Sequence, residues 1–286
     1  MNRIVLSSIG LLFFLARCHP TATDVVVPTN CQLAGSADQL IETGGRLTDE
    51  LMRTFTYKDN KLQSILERSS NQEAMFVVEY ANGRPQKATN GQDVISIQYT
   101  SADAPTSADF SRAGISRSTF AMTYDEAGRM TSVSETRHVL PPNSLTAARA
   151  YRFSYDLTGT LTREHARFTL TDGTIVEEQT DYVSESKPGP FTFFQARPLL
   201  TVVALSQGRE TKPGRFWQQL ATLTSATYTL TNAGTRGSML EEADFVNRYD
   251  DQGRLSETKK RAKLYQGLMP DPVTKQNQQN FTYTCF

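Results

Sequence analysis

Apolar and polar residues alternate along most of this chain, and short polar turns interrupt the alternation at intervals. A period of two places one set of side chains on one face of a strand and the other set on the opposite face. Arg53-Thr54-Phe55-Thr56-Tyr57 and Leu62-Gln63-Ser64-Ile65-Leu66 read as the first clear hairpin. Met75 to Tyr80 and Val94 to Tyr99 follow, then Phe120 to Tyr124 paired with Met130 to Glu135. Tyr151 to Tyr155 pairs with Leu161 to Leu170, and Thr174 to Tyr182 continues across an Asp172-Gly173 turn. Ala226 to Leu230, Met239 to Tyr249, Leu255 to Leu264 and Phe281 to Cys285 complete the series. The pattern predicts an all-β fold, an antiparallel meander of about a dozen strands or more. A sheet that wide is expected to curl strongly or close toward a barrel, with one face wet.

The turns share a motif. Tyr124-Asp125-Glu126-Ala127-Gly128-Arg129 and Tyr249-Asp250-Asp251-Gln252-Gly253-Arg254 are the clearest copies, and Tyr155 to Leu161 departs only at the Arg. Tyr80-Ala81-Asn82-Gly83-Arg84 is one residue shorter, and Tyr57-Lys58-Asp59-Asn60-Lys61 has Asn in place of Gly. Asp or Asn can accept bonds from backbone amides further on, and Gly or Asn can take the left-handed conformation that closes the turn. The Arg after the Gly is expected to begin the return strand on its wet face.

One stretch, 184–223, breaks the rhythm. It contains Lys187-Pro188-Gly189-Pro190, then Phe191, Phe193 and Phe194, an apolar run after Pro198, and Phe216-Trp217. Pro198 fits the first turn of a short helix ending near Gly208. Two readings of this irregular, partly helical insertion stay open. It caps the curled sheet and completes its core, or Phe193, Phe194, Phe216 and Trp217 form a ligand pocket or lid at a barrel mouth.

The first residues bound the compartment. Arg3 precedes an apolar run from Ile4 to Ala16, followed by Cys18, His19 and Pro20. That is the layout of a signal peptide over 1–18, too short to span a bilayer comfortably. Leu15-Ala16-Arg17-Cys18 resembles a lipobox, which would make Cys18 the lipidated first residue of the mature chain. Arg17 stands where a small residue is usual, so simple cleavage nearby and an uncleaved anchor remain alternatives. Residues 19–30 read as a tether and 31–286 as a single β-rich domain. In an oxidising compartment the remaining Cys31 and Cys285 are expected to pair, two unbridged buried thiols being the alternative.

Composition removes several classes of function. Thirty basic side chains balance thirty acidic ones in 286 residues, and loss of Arg3 and Arg17 leaves the mature chain slightly acidic. Nothing here favours nucleic acid. His19, His138 and His165 share no motif, and no nucleophile elbow, zinc helix, phosphate loop or dinucleotide fingerprint occurs. The carboxylate pairs Glu177-Glu178, Glu241-Glu242 and Asp250-Asp251 are sequence neighbours, and neighbours in a strand point to opposite faces. The basic run Lys259-Lys260-Arg261-Ala262-Lys263 reads as a solvated strand face. No catalytic residue, metal ligand or cofactor is expected.

The Tyr-Asp-x-x-Gly-Arg hairpins resemble the YD repeats of Rhs-type proteins, although this chain is too short for an Rhs shell. The wider layout resembles envelope lipoproteins of Bacteroidetes with a porin-like meander. It comprises Cys18, a second cysteine at 31, the Tyr-Asp hairpins, Pro188-Gly189-Pro190-Phe191 and a terminal Tyr283-Thr284-Cys285. The resemblance implies a barrel-like domain of unknown function, with no catalytic residue to carry over. The expectation is a non-catalytic envelope lipoprotein, bound to the outer membrane through its lipid and taking a small-molecule, glycan or protein ligand, or serving a structural role. The tether lacks the acidic cluster that resembles a surface-export signal, which favours the periplasmic side. The alternative is a carboxylate-dependent hydrolase acting on an envelope or glycan substrate.

Overall fold

A computed structural model describes residues 31–41, 47–100, 104–140, 144–192, 194–208, 212–217, 222–232, 239–266 and 272–286. The signal segment with Cys18, the tether and Phe193 lie outside these residues. The meander opens with β1 (Cys31–Ile41), β2 (Leu47–Lys58), β3 (Lys61–Ser69) and β4 (Gln72–Ala81). It continues through β5 (Arg84–Asn90), β6 (Asp93–Tyr99), β7 (Pro105–Arg112) and β8 (Ile115–Tyr124). Then come β9 (Met130–Arg137), β10 (Thr146–Tyr155), β11 (Leu161–Leu170) and β12 (Ile175–Glu185). After helix α1 (Arg197–Ser206) and a tight 3-10 turn over Pro213–Trp217 follow β13 (Thr222–Asn232), β14 (Met239–Tyr249), β15 (Leu255–Gln266) and β16 (Val273–Cys285).

Each strand pairs antiparallel with its predecessor, and β16 returns to β1 to close the barrel. The seam runs from Cys31 opposite Cys285 to Ile41 opposite Gln276. A Cys31–Cys285 disulfide clasps its end, the pairing expected from the sequence. Ala74, Phe76 and Val78 on β4, Ile95 and Ile97 on β6, and Phe120 and Met122 on β8 are buried every second residue, so these positions face inward.

A barrel of this strand number would enclose a wide lumen if empty. Here the insertion between β12 and β13 fills it. Seven consecutive residues of α1, Leu199 to Leu205, are buried, so the helix is apolar on all sides, as a helix enclosed by a wall must be. Phe191 packs edge-on against Phe216 and Tyr124 against Trp217, and Phe55 lies tilted against Phe194. Burying each large apolar side chain contributes about 1.5–3 kcal/mol as an upper estimate. The insertion therefore supplies core that the wall alone cannot.

Polar contacts fix the plug against the wall. The Gly214 amide donates to the Glu164 carboxylate at 2.6 Å, and a Cβ at 214 would fall onto that carboxylate with Leu161 and Phe153 at 3.2 Å. Arg215 bonds Asp38 of β1 at 2.8 Å. Burial alone would raise the Asp38 carboxyl, but Arg215 and Arg53 beside it hold it below its ordinary value. At the C-terminal end of α1, Arg149 of β10 donates to the Leu205 carbonyl at 2.7 Å, beside the Gly208 amide at the same acceptor, and complements the helix dipole.

Candidate functional site: the two mouths of the barrel

The repeated turns gather at one rim. In the β8–β9 turn, Asp125 accepts from the backbone amides of Ala127 and Arg129 at 3.0 and 2.9 Å and from Arg129 Nε at 2.7 Å. Gly128 takes φ 73°. The β14–β15 turn repeats this with Asp250, Gln252, Gly253 and Arg254. The Arg is not simply wet, as the sequence had led us to expect. Arg129 stacks on Tyr155 and Arg254 on Tyr283, each 4.8 Å from the ring centre, and Arg84 covers Tyr99 at 5.5 Å. Tyr155 also donates to the Met130 carbonyl, Tyr99 to that of Pro85, Tyr57 to that of Leu33 and Tyr283 to that of Leu255, at 2.7 to 2.8 Å. The motif is thus a latch. The Tyr ending one hairpin grips the carbonyl and the Arg that begin the return strand of the hairpin before it.

The plug enters and leaves through this tyrosine rim, since Glu185, ending β12, pairs with Thr222, starting β13. A small cleft of about 250 Å³ remains there among Tyr57, Tyr80, Tyr99, Lys61 and Arg84, backed by Phe194 and Pro198. Of the described aromatic residues singled out for a ligand site, Phe194 lines this cleft, and it is 2% exposed. Phe216 and Trp217 are 0% and 2% exposed, held in the core by packing, with Trp217 Nε1 donating to Thr201 at 3.2 Å. These residues serve the plug rather than an open face.

The opposite mouth is open. A cavity of about 980 Å³ has as its floor the end of α1, Ser206 to Gly208. Asn71 of the β3–β4 turn, Gln72 at the start of β4 and Asn90 at the end of β5 line it, with Arg112, Arg117 and Arg137 from β7, β8 and β9, and Phe110, Val139 and Leu140 add a limited apolar edge. Its carboxylates are committed. Asp93 takes a two-pronged bond from Arg112 at 2.5 and 2.7 Å. Glu135 accepts from Arg149 at 2.5 Å and from Ser118 at 2.9 Å, with Arg137 at 3.2 Å. Glu73 holds Arg68 at 2.6 Å. Sequence reasoning missed this mouth, because its residues come from seven separate segments with no shared motif.

The outer wall has its own chemistry. Across β9 to β12 the outward register reads Ser132, Arg152, His165, Gln179, and across β14 to β16 it reads Asp244, Arg261, Gln276. Lys259, Arg261 and Lys263 are exposed side by side on β15. Exposed large apolar side chains are scattered over the wall, with Met52 on β2, Met75 and Val77 on β4, Ile115 on β8, Val183 on β12 and Val246 on β14. A lipid-facing barrel carries an apolar band about 25 Å tall, where each midplane Arg or Lys costs about 2–4 kcal/mol. This wall is suited to water. No helix among the described residues is long and apolar enough to cross a membrane.

With the geometry established, the solved structures can be compared. A porin-like protein from Bacteroides uniformis superposes with TM-score 0.54 at 11% identity, covering 88% of this chain and 96% of that one. A porin-like protein from Bacteroides vulgatus gives TM-score 0.37 at 11% identity, covering 89% and 99%. With the B. uniformis protein the likeness is one of fold. No protein-family model matches the chain, and no curated protein matches it.

Proposed function

We propose that this chain is a non-catalytic protein of the bacterial envelope, a water-facing barrel tethered by a lipid on Cys18, that binds a ligand at its open mouth. The observation that carries the reading is a polar outer wall around a filled lumen, with a large cavity at one end. A plugged barrel with charged residues on its outside does not conduct through a bilayer, whatever its strand number. The fold shared with the B. uniformis protein, itself termed porin-like, is in keeping with an envelope location, and we favour the periplasmic side of the outer membrane.

The route of the chain adds an orientation. β1 starts at the tyrosine rim, where Gln32 bonds the Asn60 carbonyl of the β2–β3 turn. A lipid at Cys18 therefore pulls that rim toward the membrane, and residues 19–30 reach at most about 40 Å from it. The large cavity then faces away from the lipid, open to soluble ligands. The test is a Cys18→Ala variant of the full chain. The wild type is expected in the membrane fraction with a lipid-sized mass increment, and the variant in the soluble fraction without detergent. A variant that stays integral to the membrane after alkaline extraction, or a wild type that conducts ions across a planar bilayer, overturns the reading.

A further inference from the structure

We infer that the open mouth recognises an acidic saccharide, its carboxylate seated on Arg117 and its hydroxyls on the surrounding amides. The inference rests on the binding role proposed above and gives that site a ligand class. Charge selects the first part. Every carboxylate lining the cavity already has a guanidinium partner within it or beside it, so the anionic charge of the wall is cancelled internally. Arg117 is the exception among the cations. Its Nε is shut off from water with no hydrogen-bond partner, and among the described residues no carboxylate forms an ion pair with it. A guanidinium is a planar fork matched to a carboxylate, and Arg117 lines the cavity without an acid partner of its own.

The remaining lining selects the second part. Asn71, Gln72, Asn90, Ser206 and Gln207 present neutral donors and acceptors on several sides, which suits a ligand bearing hydroxyls around its perimeter. Phe110 does not offer a free ring face, being 5% exposed with Arg112 lying 5.9 Å over it. The site therefore disfavours a flat aromatic ligand. A volume of about 980 Å³ lies at the upper end of small-molecule sites and accepts a short oligosaccharide.

Trigalacturonate titrated into the full chain by calorimetry tests this, beside neutral maltotriose and glucose 6-phosphate. The wild type is expected to bind trigalacturonate more tightly than either. Arg117→Met should lower that affinity roughly tenfold to a hundredfold, the loss for one charge-assisted contact, and leave maltotriose unchanged. Arg117→Lys, which keeps the charge and loses the fork, should fall between. An unchanged urea midpoint checks that the variants fold. Equal binding of trigalacturonate by wild type and Arg117→Met, stronger binding of the sugar phosphate, or no uronate binding at all overturns the inference. Tight maltotriose binding with indifference to Arg117 would sink the acid group while leaving a binding mouth in place.

Discussion

Cutting the clasp between Cys31 and Cys285 measures how much of the closure is covalent. The bridge joins residues 254 apart in sequence, so it restrains nearly the whole denatured chain. For a loop of that length the chain-entropy relation gives about 19 cal/mol/K, or about 5.5 kcal/mol at 25 °C. Residual structure in the denatured state lowers this, and a loss of about 3–5 kcal/mol is expected for Cys31→Ser/Cys285→Ser. The native barrel should survive, because the β1–β16 ladder runs the length of both strands and does not depend on the bond. Urea unfolding followed by far-ultraviolet circular dichroism reads the effect. With a slope of about 3 kcal/mol/M, the midpoint should fall by roughly 1–2 M. Reducing the wild type should reproduce the same shift. A midpoint change below about 0.3 M, or a native spectrum that differs between variant and wild type, would refute the reasoning.

Two further outcomes follow from buried groups. Burial holds the Tyr99 phenol up at about 12, and desolvation likewise raises Tyr57, Tyr124, Tyr155 and Tyr283 above the ordinary phenol range. Their neutral forms stabilise the fold fully below pH 10, and that contribution is lost as pH climbs from 10 through 12 and beyond. Absorbance at 295 nm should show late ionisation in the native protein and ordinary ionisation in urea; titration of all eleven tyrosines near pH 10 in the native protein would contradict the latch. In the core, Arg53 bonds Glu67 at 2.7 Å with both side chains shut off from solvent. Arg53→Met should destabilise by about 3–5 kcal/mol, and adding Glu67→Leu should recover much of it, as read by the urea midpoint.

Much of the wall was legible in the sequence because its signals are local. Alternation such as Met75 to Tyr80 and a Gly-closed turn such as Asp125 to Arg129 are set by residues within one hairpin. β5 and the first half of β16 were harder to see. Arg84–Asn90 contains Pro85 and buries Ala88 alone, while Val273–Asn277 is exposed or half-exposed on both faces, so neither shows period two. Closure itself was only an expectation, for no local signal says which strand β1 must meet. The open mouth was not legible at all. Arg117 and Gln207 meet there through the register of β8 and the depth to which α1 descends, and neither quantity leaves a mark in the residues themselves.

The meeting of first and last strands has a practical outcome for protein engineering. With the Cα atoms of Cys31 and Cys285 4.0 Å apart, a linker of a few residues can replace the clasp, and the chain can be reopened at another turn. The exposed Asp172-Gly173 corner is a suitable new opening, at the end of the barrel away from the tyrosine rim. Such a permuted chain would carry its free ends at the end of the barrel where the cavity opens, whereas a reporter attached at Phe286 would lie at the opposite end.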